Sequence, residues 1–285
     1  MQHSRSTSEA SAPAPAARAT PRSSQQSEFL FSTFALIITA ILVHALYVVH
    51  IRPRGDAIMA EQFAKMRVQA NYVPERSIYI VVHEYEPEVC IILMIWSLIL
   101  LGHRMVDNRA QRKLLASGLL NIPPGMRILP KDTREYARQM EALDPKTQEL
   151  LLPRAIVASL ERFGSTDNIH DAAEAGRAVC ESEAERLDSE LSMVRYTVWA
   201  IPAIGFVGTV RGIGAALQQA HQAVSGNISG VTEALGITFN ATFTALTSSI
   251  IVMFFLHQLQ LAQERMVLDT SSYLDQHLLR HMRAS

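Results

Sequence analysis

Hydroxyl groups crowd a stretch that carries no charge. Segment 234–255, ALGITFNATFTALTSSIIVMFF, holds Thr238, Asn240, Thr242, Thr244, Thr247, Ser248 and Ser249. Positions 238, 242, 245 and 249 put Thr, Thr, Ala and Ser in one stripe at helical spacing. An earlier apolar stretch, IPAIGFVGTVRGIG at 201–214, sets Thr209 about midway and then admits one charge, Arg211. A lone threonine in such a helix commonly bonds back to its own backbone. A row of hydroxyls is different, because polar side chains in hydrocarbon are expected to face a bundle interior or a wet cavity. Together the two stretches predict a wet, hydroxyl-lined passage between a pair of helices. Gly205, Gly208 and Gly212 fall at i, i+3 and i+7, a small-residue face that lets a second helix approach closely. Tight packing alone accounts for these glycines. Pro202 is expected to bend the helix near its start.

These positions matter only if their helices cross a membrane. The chain has 285 residues, a formal net charge of −1 and 48% hydrophobic residues, averages that fit a soluble and a membrane protein alike. Charge spacing separates the two, since crossing hydrocarbon takes about 20 largely apolar residues. Phe29 to Ile51 contains no Asp, Glu, Lys or Arg, Tyr196 to Thr232 contains only Arg211, and Ala234 to Gln263 contains none. Val89 to Gly102 is a shorter apolar run that SIYIVV and Pro87 extend into a fourth span.

The fold class is therefore all-α: a polytopic membrane protein with four transmembrane helices, the last two extending into the cytoplasm as long helices. The expected organisation is a disordered cytoplasmic tail over 1–28, spans at 29–51 and 88–103 joined by a periplasmic loop at 52–87, and a cytoplasmic helical region over 104–192. Spans at 193–220 and 232–260 follow, joined by a short periplasmic turn at 221–231, and a cytoplasmic C-terminal helix at 261–285. Fourteen Lys and Arg residues lie between Gly102 and Tyr196 against five between the first two spans, which places both termini and the long segment inside. No small-x-small site follows the first apolar run, so it reads as an anchor and not a cleaved signal. Segment 171–194 runs without proline into the third span and predicts one continuous helix.

The chemistry that the chain lacks narrows its class. It has no phosphate-binding loop, dinucleotide glycine pattern, zinc spacing or nucleophile elbow, so an enzyme reading has no motif in its favour. No cofactor is expected, and without a basic stripe nucleic acid is not a partner. Cys90 and Cys180 are not expected to form a disulfide. The acidic run Glu84, Glu86, Glu88 reads as a solvated interface. His44 and His257 fall in spans, where a lone histidine near a helix end is more often an interfacial polar group than a proton relay. Asn227 matches a glycosylation sequon, a triplet frequent by chance.

IGFVGTVRGIG followed by GVTEALGITFNATFTALTSSI resembles the paired signature of the MotA/TolQ/ExbB proton-channel family: an apolar-Gly-x-x-Gly-Thr-x-x-Gly-Ile helix, then a Glu-Ala-Leu-x-x-Thr helix. The resemblance covers about 70 residues. It implies a subunit of an ion-driven motor in the bacterial inner membrane, five copies surrounding two of a single-span ExbD/TolR/MotB-like partner that carries a membrane aspartate. It implies protons, or alternatively sodium, as the transported ion. The family's pore threonines fall on Thr209 and Thr238, with Thr242 and Asn240 beside them on the ion pathway, and its glutamate falls on Glu233. Arg211 stands where TolQ and ExbB usually carry Trp, and Thr247 where they carry proline.

If Thr209 and Thr238 lie level across an antiparallel pair, as the resemblance implies, Arg211 sits about 4.5 Å along the axis from Glu233. Two roles are open for Arg211: a bridge to Glu233, or snorkelling to the headgroups. The alternative to a motor subunit is a non-conducting membrane scaffold of the same fold. Such a scaffold would need Gly208 and Gly212, but not Thr209, Thr238 and Thr242 together.

Overall fold

Apolar runs of this length satisfy their backbone groups in hydrocarbon by closing hydrogen bonds within themselves, as helices. The computed structural model of the chain describes residues 22–68, 75, 77–120, 122–123, 125–224, 226 and 228–284. Helix α1 (Arg22–Leu46) passes through one π-helical turn, Tyr47–Ile51, into α2 (Arg52–Val68). The first span is thus the middle of a longer helix, which takes in 22–28 on one side and much of the expected loop on the other. After a short α3 (Ile78–Val81), α4 runs from Tyr85 to Ala116. Pro87 lies in its first turn, where a missing N–H costs nothing.

Helices α5 (Thr133–Glu141), α6 (Pro145–Gln148), α7 (Leu151–Thr166) and α8 (Ile169–Glu190) form the domain between the second and third spans. The α7–α8 turn is tight. Asp167 adopts a left-handed φ of 50°, which its short polar side chain tolerates, and the Asn168 side chain caps α8 by accepting from the His170 N–H. Leu191 alone interrupts the path from α8 into α9 (Ser192–Gln218), which runs through Pro202. The expected continuous helix therefore has one break, bridged by Arg195, whose guanidinium meets the Asp188 carboxylate at 2.6 Å. A short α10 (Ala220–Val224) leads to α11 (Ser229–Tyr273), which ends in a π turn and a 3-10 turn.

Four helices are long and apolar enough to cross a membrane, within Phe29–Gln62, Tyr85–Ala116, Ile169–Gln218 and Gly230–His281. The described residues contain no strand, only an isolated bridge from Ile128 to Met282. Helices α9 and α11 pack along each other, α4 lies against both, and α1 rests on α4. Cys90, Ile201, Ala245, Val252 and Leu259 are buried where the three inner helices meet. A second core, around Leu151, Ile156, Leu160, Phe163, Leu274 and Leu278, joins the domain to the far end of α11. Glu183 is buried beside it, held by Arg154 at 3.1 Å and Arg186 at 2.6 Å. Burial, the largest single influence, pushes the Glu183 carboxyl up, but the two arginines outweigh it and hold it below the usual carboxylate range. Cys90 and Cys180 are both free thiols, and burial pushes Cys180 up to about 11.

Candidate ion pathway

The three glycines set how closely α9 and α11 approach. A Cβ at Gly205 would come 2.4 Å from Ala245 Cβ, one at Gly208 2.9 Å from Ala241 Cβ, and one at Gly212 1.9 Å from Thr238 Oγ1. Each glycine thus receives a small side chain of the opposing helix, and the pair runs antiparallel. Within one chain the seam is packed shut along this line, so the expected passage does not run through it.

The hydroxyls divide between the inside and the edge of that seam. Thr238 is 1% exposed, and its hydroxyl donates to the Ala234 carbonyl one turn back at 2.7 Å. Thr209 and Thr242 are only half-buried, and their oxygens lie 2.5 Å apart. The Gly205 carbonyl is 3.0 Å from the Thr209 hydroxyl and 3.4 Å from that of Thr242. Ser249 is buried further along α11 and donates to the Val198 carbonyl at 2.9 Å. Asn240 is half-buried two residues from Thr242, on the other side of the helix, and is not brought to the pair. Thr247 is exposed.

This register corrects an expectation. Thr209 stands level with Thr242, not Thr238, a slide of one helical turn that leaves Glu233 roughly six residues, about 9 Å, along the axis from Arg211. The Arg211 guanidinium instead meets Glu84 through Nη2 at 2.8 Å and Glu86 through Nε at 2.8 Å. The Glu233 side chain lies outside the described residues, as does Asn227. Glu86 also packs its methylenes on Gly208, where an added Cβ would lie 3.2 Å from Glu86 Cγ. Beyond Glu84, His83 Nδ1 approaches it at 3.5 Å and His83 Nε2 meets Asp56 at 3.0 Å.

The acidic run is therefore no solvated interface. Glu88, one turn into α4, is 5% exposed and lies 2.7 Å from His44 Nδ1 and 2.5 Å from Arg52 Nη2. Arg52 also stands 4.3 Å over the Tyr85 ring. Local sequence gave one usable signal here: three carboxylates entering a helix N-terminus, which the macrodipole favours. Their cationic partners come from distant segments, so sequence reasoning missed them. His257 is exposed on α11. Among the described residues no group of three or more His, Cys, Asp or Glu side chains is placed to hold a metal ion.

Residues 148–271 match the MotA/TolQ/ExbB proton channel family. No curated protein and no solved structure matches the chain. The matched segment takes in α7 through α10 and nearly all of α11, and so both helices of the glycine seam. Over that segment the chain is similar to the MotA/TolQ/ExbB proton channel family, which supports a role of the ion-channel type, and four of its helices are long and apolar enough to cross a membrane.

Proposed function

We propose that the chain is the channel-forming subunit of a proton-driven membrane motor, working with a single-span ExbD/TolR/MotB-like partner that carries a membrane aspartate. Five copies surround two of the partner in the bacterial inner membrane, with both termini cytoplasmic. The observation that carries this reading is the Thr209–Thr242 hydroxyl pair at the edge of a seam closed by glycine, alanine and Thr238. Each hydroxyl both donates and accepts, so the pair can hand a proton or an ordered water along a path beside the partner's carboxylate. Because the seam inside one chain is shut, the path runs along its edge, where neighbouring copies and the partner helix close it. Thr238 and the three glycines hold the two helices in register.

The test is proton flux into proteoliposomes holding the chain with its partner, for wild type, Thr209→Val and Thr242→Val. Valine keeps the shape and removes the hydroxyl. The expected outcome is a partner-dependent flux that falls about tenfold in either variant, the effect of roughly 1.4 kcal/mol on a barrier. No flux from a verified complex, in sodium as well as proton gradients, would sink the motor reading and leave the scaffold.

A further inference from the structure

Three elements change from polar to apolar at one level of the molecule. The charge-free run of α1 starts at Phe29, that of α4 ends at Gly102, and the path from α8 to α9 breaks at Leu191. Between them lies a cavity of about 450 Å³. Its walls are apolar, with Phe29 from α1, Leu100 and Leu101 from α4, and Met193 and Val194 from α9. Helix α1 rests on α4 beside it, where the Trp96 indole N–H donates to the Ser32 carbonyl at 2.9 Å. Phe29 and Met193 on its walls are exposed.

The rim carries charges of both signs. Arg104 and Glu190 line it and meet each other at 2.8 Å. His103 lines it too, its ring 4.9 Å from that of Phe31, and its Nδ1 lies 3.3 Å from Asp107, which is more than half exposed. Tyr196 and Trp199 stand exposed on α9 just inside this level, the amphipathic belt that marks a headgroup boundary. An apolar slot with exposed walls at the end of the charge-free runs, capped by paired charges, matches one class of occupant.

We propose that this cavity is a site for a phospholipid of the ethanolamine kind, with an acyl chain in the slot, its phosphate at His103 and Arg104, and its ammonium at Asp107. Arg104 is paired with Glu190 and Asp107 adds a further carboxylate, so the rim offers an anionic lipid no net attraction. A headgroup bearing both a phosphate and a primary ammonium satisfies both signs at once. The bound lipid splints α1 against the α8–α9 break.

The test uses the full chain in detergent, titrated with phosphatidylethanolamine, phosphatidylglycerol and phosphatidylcholine of the same acyl chains, with lipid retained per chain read by native mass spectrometry. The expected result is a stoichiometric lipid retained at about two- to five-fold lower concentration for the ethanolamine headgroup, the scale of one exposed charge pair. Asp107→Asn should abolish that preference and keep retention. His103→Ala and Leu100→Trp should weaken retention of all three lipids. Both exposed rim variants leave the core intact, so folding does not confound them. Equal retention of the three lipids by wild type, or rim variants indistinguishable from wild type, would overturn the proposal.

Discussion

Gly212→Ala probes the seam where it is tightest. The added Cβ would sit 1.9 Å from Thr238 Oγ1, 3.0 Å from Thr238 Cβ and 3.3 Å from the Ala234 carbonyl oxygen. Thr238 cannot yield freely: it is 1% exposed, and its hydroxyl is bonded to that same carbonyl at 2.7 Å. Either the hydroxyl rotates away and loses a bond of about 1 kcal/mol net, or the helices part and the Gly205–Ala245 contact opens with them. Overpacking of this kind costs about 1–3 kcal/mol, which lowers a melting temperature by on the order of 5 °C in a chain of this size. Gly214 and Gly236 are the internal controls, because nothing lies within 4 Å of a Cβ at either. Alanine there should be neutral or slightly stabilising through helix propensity. The assay is thermal unfolding in detergent followed by intrinsic fluorescence. Adding Thr238→Ala to Gly212→Ala removes the clashing oxygen and should recover most of the loss. If Gly212→Ala melts with the Gly214→Ala control, or the double variant recovers nothing, the seam is not packed as described.

Reversing Arg211 to Glu would set three carboxylates against each other at the start of α4, and the complex should become less stable to detergent. Adding Glu86→Arg should restore part of that loss, a recovery that Glu233→Arg should not give; size-exclusion profiles of the purified complexes decide between them. The Glu183 carboxyl is held below its ordinary value of 4.5 by Arg186 and Arg154. A depressed folded value means the pairing stabilises fully above the unfolded value and is lost as pH falls through the folded one. The melting-temperature gap between wild type and Glu183→Gln should therefore be full at neutral pH and narrow only as pH drops below about 4.5. A gap independent of pH would contradict the pairing.

The four long helices were legible because charge spacing alone separates a membrane segment from a buried soluble one. The small-residue face was legible for a similar reason: Gly205, Gly208 and Gly212 recur at helical spacing. Register was not. Thr238 and Thr242 lie one turn apart on the same stripe, so sliding α11 by one turn presents an equivalent pattern to α9. The choice rests on which alanine fits over which glycine, a matter of shape between two helices. Glu84, Glu86 and Glu88 were misread because solvated and paired carboxylates look the same locally. Their partners Arg211, Arg52 and His44 become neighbours only when α1, α4 and α9 assemble. The extension of α1 through 22–28 was missed because a Ser- and Gln-rich stretch does not announce a helix, although one already running on Phe29 to Leu46 continues through it at little cost.

Helix α11 runs unbroken from Ser229 to Tyr273, and this makes it a lever with its fulcrum in the bilayer. Tyr273 lies about 46 Å beyond Thr242 at 1.5 Å per residue, and it is anchored in the core shared with α7 and α8, where its hydroxyl accepts from the Leu120 N–H at 3.0 Å. A tilt of only about 5° at the glycine seam would sweep that end through about 4 Å. Packed cores do not stretch by such amounts; they shift as bodies. Any rocking of the seam would thereby be geared up into a displacement of the whole domain packed on the far end of α11.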